Sequence, residues 1–122
     1  MTQEITEEKL KLIESVATEI RIAVIKMLGI AGSGHSAGSL GMADVFASLY
    51  FHILSHDPKN PLWEDRDRLI LSNGHICPAQ YAALSLAGYF PAEELSSLRQ
   101  INSRLQGHPQ RGSLPGLSLI HI

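Results

Sequence analysis

Apolar residues recur at helical spacing through the first quarter of the chain and predict one long helix over residues 6–28. Thr6 is the predicted N-cap, and the acidic residues that follow it lie where the helix dipole favours negative charge. We expect Gly29 and Gly32 to end this helix. The residues predicted to form its apolar stripe are Leu10, Ile13, Ala17, Ile20, Val24 and Met27.

Further along, apolar segments alternate with segments rich in glycine, proline or charge. The glycines of residues 32–41 predict a loop, and the apolar pattern of residues 42–54 predicts a helix with Val45, Leu49 and either His52 or Ile53 on one face. The other predicted elements are a strand over residues 68–72 and helices over residues 78–87 and 92–101.

A buried strand followed by a helix is typical of the α/β class, in which helical crossovers join parallel strands. Only one clear strand is predicted in 122 residues, and the rest of the pattern is mostly helical. We therefore expect the front part of a larger α/β domain rather than a complete sheet.

Composition and charge narrow the function classes. A hydrophobic fraction of 44% supports one small domain with a core, and the net charge of -2 comes from scattered charges of both signs. No basic stripe predicts nucleic-acid binding, and no apolar run reaches membrane-spanning length. The single cysteine, Cys77, excludes an internal disulfide, and the acidic N-terminus does not resemble a secretory signal, so a cytoplasmic setting is predicted.

Three histidines directly follow a glycine in segments predicted as loops or turns. Glycine permits unusual backbone conformations and close approach of a ligand, and histidine can donate, accept or carry a proton near neutral pH. Repetition of the pair between amphipathic segments predicts loops that converge on a polar ligand. The pairs are Gly34-His35, Gly74-His75 and Gly107-His108.

Taken singly, each pair has a simpler explanation. Gly32, Gly34 and Gly38 do not have the spacing of a dinucleotide fingerprint, so their loop alone indicates a turn between helices. His75 follows the carboxyl end of the predicted strand, where α/β proteins bind ligands, but a histidine that caps the next helix fits equally well. His108 alone indicates a solvated side chain.

Two other candidate sites are weaker. His52 and His56 lie four residues apart and could share a metal ion, but no third ligand is near in the sequence, so no metal site is predicted. Cys77 could be a nucleophile beside His75, but its apolar surroundings favour a buried, unreactive thiol.

Four stretches, in order, resemble the N-terminal, diphosphate-binding region of transketolases, most closely the N-terminal subunit of two-chain transketolases. The resemblance covers most of the chain, from about Glu19 to Leu117. Its stretches are RIAVIKMLGIAGSGHSAGSLG (21–41), DPKNPLWEDRDRLILSNGH (57–75), GYFPAEELSSLRQ (88–100) and LQGHPQ (105–110), the last followed by Pro115-Gly116-Leu117.

The resemblance implies a thiamine diphosphate-binding fold and the transfer of a two-carbon ketol unit between sugar phosphates, with thiamine diphosphate and Mg²⁺ as cofactors. It implies that His35 and His108 bind substrate and take part in catalysis, and that Gly74 and His75 bind the cofactor. It also implies a partner, either a C-terminal transketolase subunit or a second copy of the chain.

The sequence departs from the family pattern in two places. Ser36 stands where the family usually has proline, which loosens the turn at His35. After residue 117 the glycine-rich cofactor segment and the metal-binding motif do not follow, so residues 1–117 are predicted to be part of the domain and residues 118–122 an unmatched tail of a truncated chain. The isolated chain is therefore expected to be inactive.

Two alternative functions stay open on the sequence. One is a fragment of a related thiamine diphosphate enzyme that makes deoxyxylulose phosphate, although residues 63–75 argue against it. The other is a non-catalytic scaffold or binding module, against which the three Gly-His pairs argue mildly.

Overall fold

A 25-residue helix, α1 (Glu7–Ala31), is the longest element of the fold. The computed structural model describes residues 4–106, 114–115 and 118–119. Thr6 caps α1 as predicted, because its hydroxyl accepts a hydrogen bond of 3.1 Å from the Lys9 amide. The helix runs three residues beyond the predicted end, since Gly29 stays helical and only Gly32, at φ 71°, reverses the chain.

One face of α1 is buried against the rest of the domain, as its periodicity predicts. Leu10 is the exception, with 46% of its surface exposed. The first residue of α1 that the rest of the domain buries is Ile13. Val16 joins the buried face instead. Burial of such a stripe, rather than helix propensity alone, stabilises α1. The buried residues are Ile13, Val16, Ala17, Ile20, Val24 and Met27.

The glycine-rich segment is not entirely a loop. Residues Ala37–Gly41 form a short helix, α2, which corrects the prediction for this part of the segment. A Cβ at Gly38 would lie 2.8 Å from Cγ2 of Ile76, so the missing side chain allows α2 to pack closely on the turn before the next helix. Tertiary packing has overridden the low helix propensity of glycine.

The next helix buries a different face from the one predicted. α3 (Ala43–Ser48) continues into a π-helical turn (Leu49–Ile53), and Val45 and Ile53 are exposed. The face that packs inward is one position displaced, and the wider π turn changes the spacing further. Its buried residues are Ala43, Phe46, Ala47 and Tyr50.

A pair of short parallel strands confirms the α/β character. The predicted strand is reduced to β1 (Ile70–Leu71), which pairs with β2 (Ser118–Leu119) in the register Ile70 to Ser118 and Leu71 to Leu119. β2 was not predicted, because two residues leave no periodic pattern in the sequence. It lies in the segment predicted as an unmatched tail. The described fold is mostly helical, as expected.

The central helix, α4 (Cys77–Ala87), follows β1 through a 3₁₀ turn (Gly74–Ile76). Pro78 in its first turn and Gly88 at φ 102° after its end confirm the predicted boundaries. All residues from 77 to 84 are buried, so α4 forms the middle of the core. The predicted helix after Pro91 is a 3₁₀ helix, Ala92–Ser97. Within the described residues, no helix is both long and apolar enough to cross a membrane.

The two glycines near the end of α1 are expected to respond oppositely to alanine. A Cβ at Gly29 meets nothing within 4 Å, so Gly29→Ala is expected to raise the free energy of unfolding by about 0.5–1 kcal/mol. At Gly32, φ 71° strains any residue with a side chain, so Gly32→Ala is expected to lower the free energy of unfolding by about 1 kcal/mol. Urea unfolding of both variants checks this, and a destabilised Gly29→Ala would contradict it.

Candidate functional site

The structure brings two of the three Gly-His pairs together. The ring centroids of His35 and His75 are 4.4 Å apart, with their planes at 71°. Both side chains are exposed, although they come from separate parts of the sequence. His35 lies between α1 and α2, and His75 lies in the 3₁₀ turn after β1. Two imidazoles at one solvent-accessible point can donate, accept or transfer protons to a bound polar molecule.

The backbone at Gly34 sets the position of His35. Gly34 has φ 132°, a conformation that residues with a side chain rarely adopt, and a Cβ there would collide with Cδ2 of Leu28. The glycine therefore lets the loop lie directly against the end of α1. His35 follows immediately, and its ring reaches the neighbouring turn.

His75 is not the residue that caps the turn before α4. The Asn73 side-chain oxygen accepts a hydrogen bond of 3.3 Å from the His75 amide, so Asn73 is the N-cap. Gly74 is buried directly before His75. The capping role therefore belongs to Asn73, and the exposed His75 imidazole contacts the ring of His35.

A small, partly open cleft lies beside the two histidines. It combines imidazole rings and a guanidinium with apolar side chains, and none of its described lining residues is acidic. Such a set of groups suits a polar or anionic molecule better than a cation. The lining residues are Leu28, Gly34, His35, His75, Pro78, Leu98 and Arg99.

Arg99 is the lining residue that sequence reasoning missed. It lies in a segment predicted as helix, and no motif singles it out. The structure gives it φ 62°, which is uncommon for a residue other than glycine, and the 3₁₀ helix has already ended before it. No sequence signal distinguishes it, since Arg104 is a second cation in the same segment.

The third pair, Gly107-His108, lies outside the described residues, but the residue before it is anchored. The Gln106 carbonyl accepts a hydrogen bond of 2.8 Å from the Tyr81 hydroxyl and a contact of 3.6 Å from the Cys77 thiol. Both donors belong to α4, the helix that begins directly after His75. The chain therefore enters the third pair from a fixed point on the same helix. The roles of His108 remain predictions.

His56 has a structural role. Its Nε2 lies 2.6 Å from the Tyr50 carbonyl and its Nδ1 lies 2.6 Å from the Tyr89 hydroxyl. A carbonyl can only accept, so a neutral ring with its proton on Nε2 satisfies both contacts, with Nδ1 accepting from Tyr89. The pair His52 and His56 therefore does not present both side chains to one ion.

Cys77 is buried, as the sequence favours. Burial raises the pKa of its thiol to about 11, partly opposed by hydrogen bonding and by the positive charge of Arg99. At neutral pH the group is almost entirely protonated, and a thiol in that form is a poor nucleophile. A nucleophilic role beside His75 is therefore not supported.

The groups around the cleft fit part of a thiamine diphosphate site. Exposed imidazoles, a guanidinium and the N-terminal end of α4 are the kinds of group that bind a diphosphate. They do not fit Mg²⁺, which prefers oxygen ligands. In residues 4–106 and the two short described segments, no three histidine, cysteine, aspartate or glutamate side chains come together as a metal site.

Comparison with known protein families gives one match over almost the whole chain. Residues 13–120 match the family described as "Transketolase, thiamine diphosphate binding domain". The matched range contains the cleft, the described elements from within α1 onward, and both strands.

Individual relatives agree. The chain is 46% identical over 105 residues to a transketolase of Buchnera aphidicola subsp. Acyrthosiphon pisum, covering 85% of this chain and 16% of that protein. It is 48% identical over 92 residues to the 6-deoxy-6-sulfo-D-fructose transketolase subunit SqwG of Clostridium sp. (strain MSTE9). This match covers 75% of this chain and 34% of that subunit. The chain thus spans a minor part of the length of these relatives.

A solved structure shows the same fold. The transketolase from Leishmania mexicana superimposes with a TM-score of 0.82 at 40% sequence identity. The superposition covers 86% of this chain and 16% of that one.

Proposed function

Because this chain belongs to the transketolase family and matches its thiamine diphosphate-binding domain, we propose that it forms one wall of a site for ketol transfer. The reaction would move a two-carbon ketol unit from a ketose phosphate to an aldose phosphate. The observation that carries the proposal is the contact of His35 with His75 at an exposed cleft. A pair of imidazoles fixed beside groups suited to a diphosphate matches the needs of that chemistry.

The proposed roles differ between the residues. Gly74 and His75 lie at the start of the helical segment that leads into α4, where the helix dipole favours a diphosphate. His35 and His108 would hold sugar hydroxyls and assist proton transfers, tasks suited to imidazole near neutral pH. Bound thiamine diphosphate would supply the carbanion chemistry of the reaction. The protein groups would bind, orient and exchange protons.

Mg²⁺ is proposed as a second cofactor through family membership, with its ligands outside the described residues. The described carboxylates do not gather into a site for it. The remaining walls of the site would come from further protein, either a C-terminal subunit or a second copy. Two observations support this: the relatives are much longer, and one of them is named a subunit. We place the protein in the cytoplasm, as the sequence favours.

The test is cofactor binding followed by turnover. Isothermal titration of the protein, as its gene encodes it, with thiamine diphosphate and Mg²⁺ is expected to give saturable binding once any partner subunit is present. His75→Ala is expected to weaken this binding, whereas His52→Ala, away from the cleft, serves as a matched control. The 122-residue chain alone is expected to show no micromolar binding.

The choice of donor separates the alternative functions. Ketol transfer from xylulose phosphate is expected, whereas turnover of pyruvate instead would favour a deoxyxylulose phosphate synthase. A well-folded protein that neither binds the cofactor nor turns over with its partner present would contradict the proposal and favour a scaffold.

A further inference from the structure

The cleft presents a cation, Arg99, that the family resemblance and the Gly-His pattern leave without a role. We propose that Arg99 is a phosphate-binding residue of this cleft, whose guanidinium pairs with the phosphate group of a molecule held beside His35 and His75. The proposal rests on the proposed function for the identity of that molecule. Two sources share the chemistry: the diphosphate of the cofactor and the phosphate of a sugar substrate.

The backbone holds Arg99 at the cleft through neighbours on both sides. Leu98 and Leu105 are buried, with 1% and 0% of their surfaces exposed. The Arg99 amide donates a hydrogen bond of 2.9 Å to the Leu105 carbonyl, which closes the intervening loop. Between these anchors Arg99 has φ 62° and an exposed side chain. The fold thus keeps a long cationic side chain at the surface of the cleft although the residue before it is in the core.

A second hydrogen-bonded pair strengthens the same loop. Arg104 binds Glu94 through two hydrogen bonds of 2.7 and 2.8 Å. The Ser103 and Ser97 hydroxyls lie 2.7 Å apart. These contacts tie the loop to the 3₁₀ helix and use the Glu94 carboxylate. The guanidinium that remains for a ligand is that of Arg99.

The charges around Arg99 favour an anion. Arg99 is the only described lining residue of the cleft with a permanent charge. Over the described ranges, no carboxylate hydrogen-bonds its guanidinium, in contrast to Arg104. Its positive charge also acts at the start of α4, where it lowers the pKa of the Cys77 thiol against the larger effect of burial. An arriving anion would therefore meet Arg99 and the positive end of α4 together.

The chemistry of the guanidinium favours an oxyanion. Its planar, forked donors match carboxylate or phosphate oxygens in pairs, and the proposed function makes that oxyanion a phosphate. The adjacent imidazoles offer further donors to the same group or to neighbouring hydroxyls. A neutral ligand would leave the charge of Arg99 unused.

The test uses three replacements at one position in the protein as its gene encodes it. Arg99→Gln removes the charge, Arg99→Lys keeps the charge without the fork, and Arg99→Gly removes the side chain while relaxing the positive φ. Arg68→Gln, an exposed arginine that does not line the cleft, is the matched control for net charge. Circular dichroism and thermal unfolding verify that each variant folds.

The readouts separate the two sources of phosphate. Calorimetry gives the Kd for thiamine diphosphate and for inorganic pyrophosphate, and kinetics gives KM for a ketose phosphate and for the unphosphorylated ketose. If Arg99 binds the cofactor, Arg99→Gln and Arg99→Gly raise both Kd values about tenfold or more, with a smaller change for Arg99→Lys. If it binds the sugar, only KM for the ketose phosphate rises by that factor.

The proposal is overturned if the folded Arg99→Gln variant matches the parent and Arg68→Gln in all four quantities, or if the parent binds none of these phosphates. A different result would reject the proposed function but keep the phosphate site. In that case the parent binds pyrophosphate but neither binds thiamine diphosphate nor turns over, and Arg99→Gln loses the pyrophosphate binding.

Discussion

Replacing His35 with alanine is expected to lower the rate of ketol transfer by about 10²–10⁴-fold, the range typical for loss of a general acid or base. The His35 side chain is exposed, and its described ring contact is with His75. Its removal therefore opens no cavity in the core and should leave the fold intact. The effect is expected in kcat, measured with a ketose phosphate donor and any partner subunit present.

The cofactor affinity distinguishes the roles of the two histidines. If His35 acts on the substrate, His35→Ala leaves the Kd for thiamine diphosphate within about twofold of the parent, whereas His75→Ala raises it. His52→Ala, which lies in the π-helical turn away from the cleft, should change neither quantity. Ketol transfer that survives His35→Ala at the parent rate would refute the role of His35 and support a scaffold.

Gly34→Ala is expected to have the second-largest effect, because it changes both the backbone and the packing beside His35. At φ 132° a residue with a side chain is strained by about 1–3 kcal/mol. The new Cβ would also collide with Cδ2 of Leu28 at the end of α1. We expect reduced thermal stability together with a displaced His35, and hence a fall in ketol transfer.

Two further variants separate the causes of that effect. Gly41→Ala, in the neighbouring α2 helix, meets nothing within 4 Å and has no positive φ, so it should fold like the parent. Leu28→Ala combined with Gly34→Ala removes the collision but not the backbone strain. The double variant is therefore expected to lose less stability than the sum of the losses in the two single variants. A Gly34→Ala variant as stable and as active as Gly41→Ala would contradict the argument.

Local signals predicted several elements well because they act within one turn of the chain. Thr6 caps α1 through an amide three residues away. Pro78 and Gly88 delimit α4 by restricting or relaxing their own φ angles. The predicted strand lies at β1, although only two of its residues pair. Each of these features depends on a residue and its immediate neighbours, which the sequence displays.

The candidate site was only partly visible in the sequence. The Gly-His pattern singled out His35 and His75 without showing that their rings would touch. Arg99 was missed because its importance depends on a positive φ and on the loop closed by the Leu105 carbonyl. Neither feature leaves a residue pattern, since each follows from how the segment packs on buried leucines.

By itself, the sequence determined the family resemblance, the amphipathic α1, the limits of α4 and the identity of the Gly-His pairs. Only the tertiary structure decided that the segment containing Gly38 would form the α2 helix, that the second helix would bury Phe46 and Tyr50, and that β2 would pair beside β1. It also decided that His35, His75 and Arg99 would share one cleft. Caps and turns depend on contacts a few residues apart, whereas these outcomes depend on surfaces that distant segments bury together.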